Sequence, residues 1–178
     1  MKIKKILDGV NVGPMLWALQ SHPEIWNQNT ARTQSTDSPH YGLSDIWVRH
    51  AANGDDGSGP HESVWHDCAA LLPVREIVYP LMNYVHGERL GGVLITKIPA
   101  GMECKPHKDG DWHARYYEKF AVQIQSAPEQ FFCFDGERLE TKPGDVFWFD
   151  NAHTHWVTNP TPYDRITMIV CIKADKGA

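Results

Sequence analysis

The chain has 178 residues, of which 42% are hydrophobic, and a formal net charge of -5 at pH 7. This composition is sufficient for the buried core of one ordinary domain, and the negative charge gives no broad basic surface for general nucleic-acid binding. We expect no membrane association, because no apolar run approaches the roughly 20 residues that span a bilayer and no signal-peptide pattern follows Met1.

The first half, residues 1–90, is predicted to consist of helices and loops that support the core and form a lid. Apolar residues at helical spacing predict one helix from Pro14 to Asn27, which Pro23 ends or kinks. A second helix is predicted from Pro73 to His86, with Pro80 inside it. Between them, Ser44 to His50 is expected to form a short strand.

Two segments of this half are rich in Ser, Thr, Asn, Asp and Gly, and are predicted to be long loops. They are Gln28 to Gly42 and Ala51 to Pro60. Long loops in compact domains are often lids or binding surfaces, although a surface insertion has the same composition. We expect substrate selection between Gln28 and His66.

The second half, residues 91–175, alternates short apolar runs with turn signals, as in an all-β sandwich or barrel. The predicted strands are Val93 to Ile98, Phe120 to Gln125, Phe131 to Phe134, Val146 to Phe149, His155 to Thr158 and Ile166 to Ile172. The clearest turns are Asp135-Gly136 and Lys142 to Asp145. The whole chain, residues 1–178, is therefore predicted to be one mainly β domain, a jelly roll with flanking N-terminal helices.

A metal site is predicted from His107 and Asp109, which point the same way in an extended segment because they are two positions apart. The run from His153 to Val157 offers a third ligand on a later strand, from either His153 or His155. Two imidazoles and one carboxylate leave three coordination positions open, which suits an iron(II) ion that activates dioxygen. A closed zinc site would use four protein ligands.

Arg165 opens the last apolar strand and shares a face with Thr167, so both side chains are predicted to point into the barrel. A buried guanidinium is costly unless an anion meets it. A dicarboxylate fits this need, because one end can chelate the metal while the other pairs with Arg165 and Thr167.

The stretch from Ile98 to Ile172 resembles the core of the iron(II)/2-oxoglutarate-dependent dioxygenase superfamily. It contains IPAGMECKPHKDGDW and, later, KPGDVFWFDNAHTHWVTNPTPYDRITMIVCI. It is most similar to the aspartyl/asparaginyl β-hydroxylase-like branch, with the prolyl hydroxylases as more distant relatives. The resemblance implies a double-stranded β-helix with Fe(II), 2-oxoglutarate as co-substrate and O2. It also implies a hydroxylase that acts on an amino-acid side chain, free or in a peptide, and releases succinate and CO2.

By this resemblance, His107, Asp109 and His155 are the iron ligands and Arg165 anchors the C5 carboxylate of 2-oxoglutarate. His155 is preferred to His153 because it lies in a His-x-Val-x-Asn context. Cys104, three residues before His107, is an alternative soft ligand, although the scattered cysteines are typical of buried, reduced thiols in a cytoplasmic protein.

The chain departs from the branch at Lys119-Phe120-Ala121, where many members have an Arg-x-His pair. This removes a residue expected to hold the other carboxylate of the co-substrate. Gln123 and Gln125 share a face with Ala121, and we predict that Gln123 compensates.

Substrate contacts are predicted from Trp112, Arg115 and Tyr116, which follow the first metal pair at the expected mouth of the site. The substrate is expected to be a small molecule or a peptide. Two other functions remain open at this point. One is a cupin-like jelly roll that binds a metal or ligand without catalysis, and the other is a zinc hydrolase, which would leave Arg165 without a role.

Overall fold

The computed structural model describes residues 1–52, 55 and 57–174 and contains eleven β-strands within them. The strands are β1 (Ile3–Leu7), β2 (Ser44–His50), β3 (Val64–Trp65), β4 (Gly87–Ile98), β5 (Glu103–His107), β6 (Glu118–Gln125), β7 (Phe131–Phe134), β8 (Glu137–Glu140), β9 (Val146–Phe149), β10 (His155–Thr158) and β11 (Arg165–Ala174). The α-helices are α1 (Gly13–Ser21), α2 (Val74–Tyr84) and α3 (Trp112–Tyr116), and two short 3-10 helices are Pro23–Ile25 and Asp67–Ala70. None of the described helices is long and apolar enough to cross a membrane.

The strands form two antiparallel sheets. The larger sheet has the order β1-β9-β6-β11-β4-β2-β3, and the smaller has the order β5-β10-β7-β8. Because neighbouring strands in each sheet are mostly distant in sequence, the chain crosses repeatedly between the sheets. The fold is therefore mainly β, the double-stranded β-helix predicted from the sequence.

Alternation along β11 explains how the larger sheet separates its core from its cavity. Met168, Val170 and Ile172 face one side and join the main hydrophobic cluster with residues of α1 and α2. Thr167 and Ile169 face the other side and line a cavity between the sheets. Each large aliphatic side chain buried on the helical side contributes roughly 1.5–3 kcal/mol, so the helices brace the wall that carries the site.

The turn before β9 shows why a glycine is required there. Gly144 has a φ of 89°, and a Cβ at this position would lie 2.6 Å from the carbonyl oxygen of Val10. Asp145 accepts a hydrogen bond from the backbone N–H of Lys142 at 2.9 Å, which closes the predicted turn. The turn therefore fixes where β9 enters the sheet.

The predicted strands are all present, but the prediction of residues 1–90 as helices and loops was incomplete. The predicted strand Ser44 to His50 is present as β2, but β1 and β3 of the larger sheet were not predicted, and β4 begins at Gly87. The helix predicted from Pro14 to Asn27 is divided in two. Helix α1 ends at Ser21, before Pro23, and a separate 3-10 helix follows at Pro23–Ile25. Two residues in β3 are too few for a sequence pattern. In the predicted loop Ala51 to Pro60, residues 53, 54 and 56 lie outside the described part of the chain.

Candidate metal centre and co-substrate pocket

The structure brings the three predicted ligands together where β5 ends and β10 begins in the smaller sheet. His107 ends β5 and His155 begins β10, and the two are direct partners in the antiparallel register. Asp109 lies two residues beyond β5 rather than on the strand, where its backbone N–H donates to the carbonyl of Asn151 at 3.1 Å. One ligand atom from each residue lies within 4.8 Å of the others.

Backbone carbonyls fix the tautomer of both histidines. The Nδ1 of His107 lies 2.7 Å from the carbonyl oxygen of Lys105, and the Nδ1 of His155 lies 2.9 Å from that of His153. A carbonyl can only accept, so each Nδ1 carries the proton and each Nε2 keeps a free lone pair. These Nε2 atoms lie 3.6 and 4.0 Å from the carboxylate oxygens of Asp109. The arrangement is that of a preformed metal site.

His153 is placed outside this cluster. Its side chain is 55% exposed, and its Nδ1 lies 3.0 Å from the carboxylate of Asp150. It contributes to the site through the backbone carbonyl that accepts from Nδ1 of His155.

The ring of His155 is packed against Phe132, with centroids 5.7 Å apart and nearly parallel planes.

Lys119 is a charged residue of the site that the sequence marked only as a departure from the branch. Its ammonium lies 2.5 Å from Oδ2 of Asp109 and lines the cavity. Burial alone would raise the pKa of Asp109, but the adjacent Lys119 ammonium holds that pKa below its ordinary value. Asp109 is therefore ionised, and its Oδ1 remains available to a cation.

Two other groups of potential ligands occur among the described residues. They are His40, Cys104 and His107, and His50, His61 and His113. In the first, Arg32 donates to Nε2 of His40 at 3.1 Å, and burial raises the pKa of the Cys104 thiol to about 12.

In the second group, the backbone N–H of Gly92 donates to Nε2 of His113 at 3.0 Å. Burial also lowers the pKa of His50 to about 4 and that of His113 to about 3. The Gly92 contact already uses the lone pair of His113 Nε2, and the His50 and His113 rings form an uncharged part of the cavity wall. The His107, Asp109 and His155 group is the one whose three ligand atoms all keep a free lone pair within the described ranges.

Arg165 is buried without a counter-ion. Its side chain is 1% exposed, and its Nη atoms donate to the carbonyl of Gln130 at 3.4 Å and the hydroxyl of Thr141 at 3.2 Å. Its Nε has no hydrogen-bond partner, and no carboxylate of the described residues forms an ion pair with it. Burial lowers the pKa of this guanidinium to about 10. An unpaired buried cation is unfavourable, so this position is suited to an anion.

The cavity between the sheets has a volume of about 470 Å³. Its wall includes the three predicted metal ligands and Thr167, but Arg165 itself does not line it. Arg165 lies two residues before Thr167 on the same face of β11 and is more deeply buried.

Gln123 holds the hydroxyl groups near Arg165. Its Oε1 accepts from Thr141 at 2.8 Å and from Thr167 at 3.3 Å, while its Nε2 donates to the carbonyls of Gln125 and Ile166. All four hydrogen-bonding positions of this amide are therefore occupied. Its predicted contact with the co-substrate stays a prediction, and the structure gives it a positioning role.

The predicted substrate residues lie beside the metal cavity and not in its wall. Trp112, Arg115 and Tyr116 form the short helix α3, which Asp111 caps by accepting from the N–H of Ala114 at 2.6 Å. Arg115 and Tyr116 line a neighbouring groove, and the Trp112 ring stacks on Tyr116. They do not line the metal cavity itself, but the groove that Arg115 and Tyr116 line also includes Asp109, so their contact with a substrate stays a prediction.

The loop Gln28 to Gly42 supplies cavity residues that the sequence analysis did not identify. Arg32, Ser38, Pro39 and His40 all line the cavity. Loop residues have no periodicity that indicates which side chains point inward, so no sequence signal could have selected them. The loop is thus part of the site, as its length suggested.

Residues 24–174 match the family model described as aspartyl/asparaginyl beta-hydroxylase. The chain belongs to this family. The resemblance seen in the sequence is therefore confirmed. No curated protein matches the chain.

Solved structures show the same fold in the prolyl hydroxylases. The enzyme from Trichoplax adhaerens, in complex with a hypoxia inducible factor oxygen degradation domain peptide fragment, has a TM-score of 0.60 at 12% identity, covering 96% of this chain and 83% of that chain. A Pseudomonas putida prolyl-4-hydroxylase has a TM-score of 0.58 at 12% identity, covering 98% and 93%. The viral collagen prolyl hydroxylase of Paramecium Bursaria Chlorella virus-1, as its 2-oxoglutarate complex, has a TM-score of 0.58 at 10% identity, covering 98% and 97%.

The residues present in this hydroxylase-family chain fit an iron(II) ion. Two imidazole nitrogens and one carboxylate oxygen are the donor set of non-haem iron oxygenases, and they leave coordination positions open. The unpaired guanidinium of Arg165 fits a second anionic group in the same barrel. Both observations concern this chain's own side chains and do not depend on the family assignment.

Proposed function

We propose that this protein is an Fe(II)- and 2-oxoglutarate-dependent oxygenase that hydroxylates an amino-acid or peptide side chain. The observation that carries the proposal is the buried guanidinium of Arg165, which has no counter-ion in a barrel that also holds three free metal-ligand atoms. A co-substrate with a metal-chelating end and a distant carboxylate would meet both needs. A jelly roll that only bound a metal would leave Arg165 unpaired.

In this proposal, Nε2 of His107, Nε2 of His155 and Oδ1 of Asp109 hold the iron. Bound iron and 2-oxoglutarate supply the oxidising chemistry, in which O2 is consumed and 2-oxoglutarate is split into succinate and CO2. The guanidinium of Arg165 and the hydroxyl of Thr167 bind the far carboxylate of the co-substrate.

The ammonium of Lys119 keeps a positive charge at the position where the branch has arginine. It stands beside Asp109, where a carboxylate bound to the metal would also meet it. Apolar side chains of the cavity wall, Phe132, Phe149 and Ile169, keep water from the reacting groups.

The substrate class is proposed from two features. The family is named for hydroxylation of aspartyl and asparaginyl residues, and the related prolyl hydroxylase from Trichoplax adhaerens binds a peptide fragment. A cavity of about 470 Å³ has room for a co-substrate and one side chain, but not for a folded domain. We therefore propose an amino-acid side chain, in an extended peptide or as a free small molecule.

Two further proposals concern the domain organisation and the location of the protein. We propose that residues 1–178 form one domain, since β2 and β4 from its two halves pair in one sheet. We also propose a cytoplasmic location, which the four free, buried cysteine thiols support.

Succinate release tests the function. The purified protein is incubated with Fe(II), 2-oxoglutarate, O2 and pools of cellular peptides or metabolites, and succinate is measured together with any mass gain of one oxygen. The proposal expects both signals, and expects both to vanish for Asp109→Ala. A metal-loaded protein that forms no succinate with any pool, and shows no oxygen gain, would contradict it.

A further inference from the structure

The loop Gln28 to Gly42 is attached to the strand that carries the first metal ligand. The backbone N–H of Lys105, on β5, donates to the carbonyl of Pro39 at 2.9 Å. The carbonyl of the same Lys105 accepts from Nδ1 of His107 at 2.7 Å. One residue of β5 therefore binds the loop with its N–H and orients the His107 ring with its carbonyl.

Arg32 fixes the same loop to the larger sheet. Its Nε and Nη2 donate to the two carboxylate oxygens of Asp45 at 2.6 and 3.0 Å, and Nη2 also donates to the hydroxyl of Thr96 at 2.8 Å. Asp45 is fully buried, and Thr96 donates to it as well at 2.8 Å. A bidentate, buried pair of this kind has a defined geometry, unlike an exposed ion pair.

His40 connects this ion pair to the metal ligand. Nη1 of Arg32 lies 3.1 Å from Nε2 of His40, and a guanidinium can only donate, so His40 accepts and carries its proton on Nδ1. Burial, followed by the nearby Arg32 charge, lowers the pKa of His40. The uncharged ring packs edge-on against His107, with centroids 4.8 Å apart. His107 is thus held by the Lys105 carbonyl and, on one side of its ring, by His40.

We propose that Arg32 and His40 are positioning residues for the metal ligand His107. The Arg32–Asp45 pair sets the position of His40, and His40 together with the Pro39–Lys105 contact sets the rotamer of His107. The charge of Arg32 is neutralised by Asp45, so this ion pair places no net positive charge next to the proposed cation. The inference rests on the proposed metal centre, but it assigns a role to residues on a loop more than 60 positions before the ligand.

Cobalt binding tests this inference without any need for the substrate. Co²⁺ is titrated into the full chain, its visible absorption gives the dissociation constant and the coordination geometry, and thermal melting of the metal-free protein reports folding. The variants are His40→Ala, the double variant Arg32→Gln with Asp45→Asn, and His40→Phe. Arg75→Gln is the matched control, because Arg75 lies over the Trp65 ring and outside the cavity lining.

We expect His40→Ala and the double variant to weaken Co²⁺ binding by about 10- to 100-fold and to change its spectrum, as losses around metal ligands do. His40→Phe should recover part of the affinity, because it restores a ring against His107. Arg75→Gln should bind as the wild type does. The double variant removes both members of the ion pair, so it leaves no unpaired buried charge that would unfold the chain.

Equal Co²⁺ affinity and an unchanged spectrum in the folded His40→Ala and double variants would overturn the positioning role alone. If His40→Ala does not fold, the double variant and His40→Phe are measured in its place. Equal Co²⁺ affinity and an unchanged spectrum in these two folded variants would then overturn the positioning role. A wild-type protein that binds no Co²⁺ would instead overturn the proposed metal centre, and this inference with it.

Discussion

His107 and His155 lie directly opposite each other on β5 and β10, with ring centroids 4.4 Å apart. Two residues far apart in the sequence thus become neighbours through strand register. A slip of one residue would turn one ring to the other face of the sheet. The metal site is therefore a property of the pairing of the smaller sheet, and Asp109 completes it from the loop that follows β5.

Removal of Asp109 should strongly weaken metal binding. Asp109→Ala deletes one of three ligands and leaves the Lys119 ammonium unpaired beside the site, so we expect Co²⁺ or Fe²⁺ affinity to fall by roughly 100-fold or more. Equilibrium dialysis with each metal measures this. Asp135→Ala, at an exposed turn, is the control, and equal metal retention in the two variants would contradict the ligand assignment.

Arg165→Met should separate co-substrate binding from metal binding. The change removes a charged donor pair, so we expect 2-oxoglutarate affinity of the metal-loaded protein to fall about 10- to 100-fold while Co²⁺ affinity is unchanged. Calorimetric titration measures both. Arg138→Met, at an exposed residue of β8, is the control.

The same Arg165→Met variant should not lose stability in the absence of ligand. The guanidinium is buried and its Nε has no partner, so its replacement by an apolar chain removes a desolvation cost. Thermal melting should show an unchanged or higher midpoint without ligand. Metal should then raise the midpoint of both proteins, and adding 2-oxoglutarate should raise it further in the wild type than in the variant. A strongly destabilised variant would show that Arg165 is a structural residue.

Acid should destabilise the metal-free protein between about pH 6.5 and pH 4, because His50 is neutral in the folded chain and protonated in the unfolded chain over this range. Its pKa is about 4 in the folded chain, against an ordinary value of 6.5, mainly because of burial. Between these values the unfolded chain binds more protons, so the free energy of unfolding should fall as the pH drops from about 6.5 toward 4. His50→Gln should reduce this fall in urea unfolding experiments. The control His86→Gln, at an exposed residue, should leave it unchanged, and equal pH slopes in all three proteins would contradict the account.

Gln123→Leu should destabilise the protein more than it affects the metal. The variant leaves the Ile166 carbonyl and the hydroxyl groups of Thr141 and Thr167 without their buried partner, which costs about 3 kcal/mol. Urea unfolding measures the loss. Gln20→Leu on the exposed face of α1 should cost less than about 0.5 kcal/mol. A loss no larger than that control would show that the network around Gln123 does not contribute.

Local patterns made part of this structure predictable. β7, β9 and β10 have the predicted bounds because each is a short apolar run beside a turn signal. Helix α1 ends before Pro23 because a proline ring disrupts the interior of a helix. β5 was missed because its sequence, ECKPH, is polar and has a proline, and it is a strand only through its pairing with β10. Secondary structure imposed by a neighbouring strand has no signal in its own residues.

The residues of the candidate site were likewise predictable only in part. The ligand pair His107 and Asp109, and Arg165 at the start of β11, could be named from their spacing and from the family resemblance. The contacts of Lys119 with Asp109 and of Arg32 with Asp45 could not, because each depends on where a distant segment lies in the folded chain. The short helix α3, which Asp111 caps, was not among the predicted elements.

A crystal structure of the protein with Mn²⁺ and 2-oxoglutarate, grown without O2, tests the central claim most directly. The account predicts an anomalous peak bonded to Nε2 of His107, Nε2 of His155 and the Asp109 carboxylate, with the far carboxylate of 2-oxoglutarate paired to the Arg165 guanidinium. A metal held by His50 and His61 instead, or a bound 2-oxoglutarate that leaves Arg165 without an anion, would contradict it.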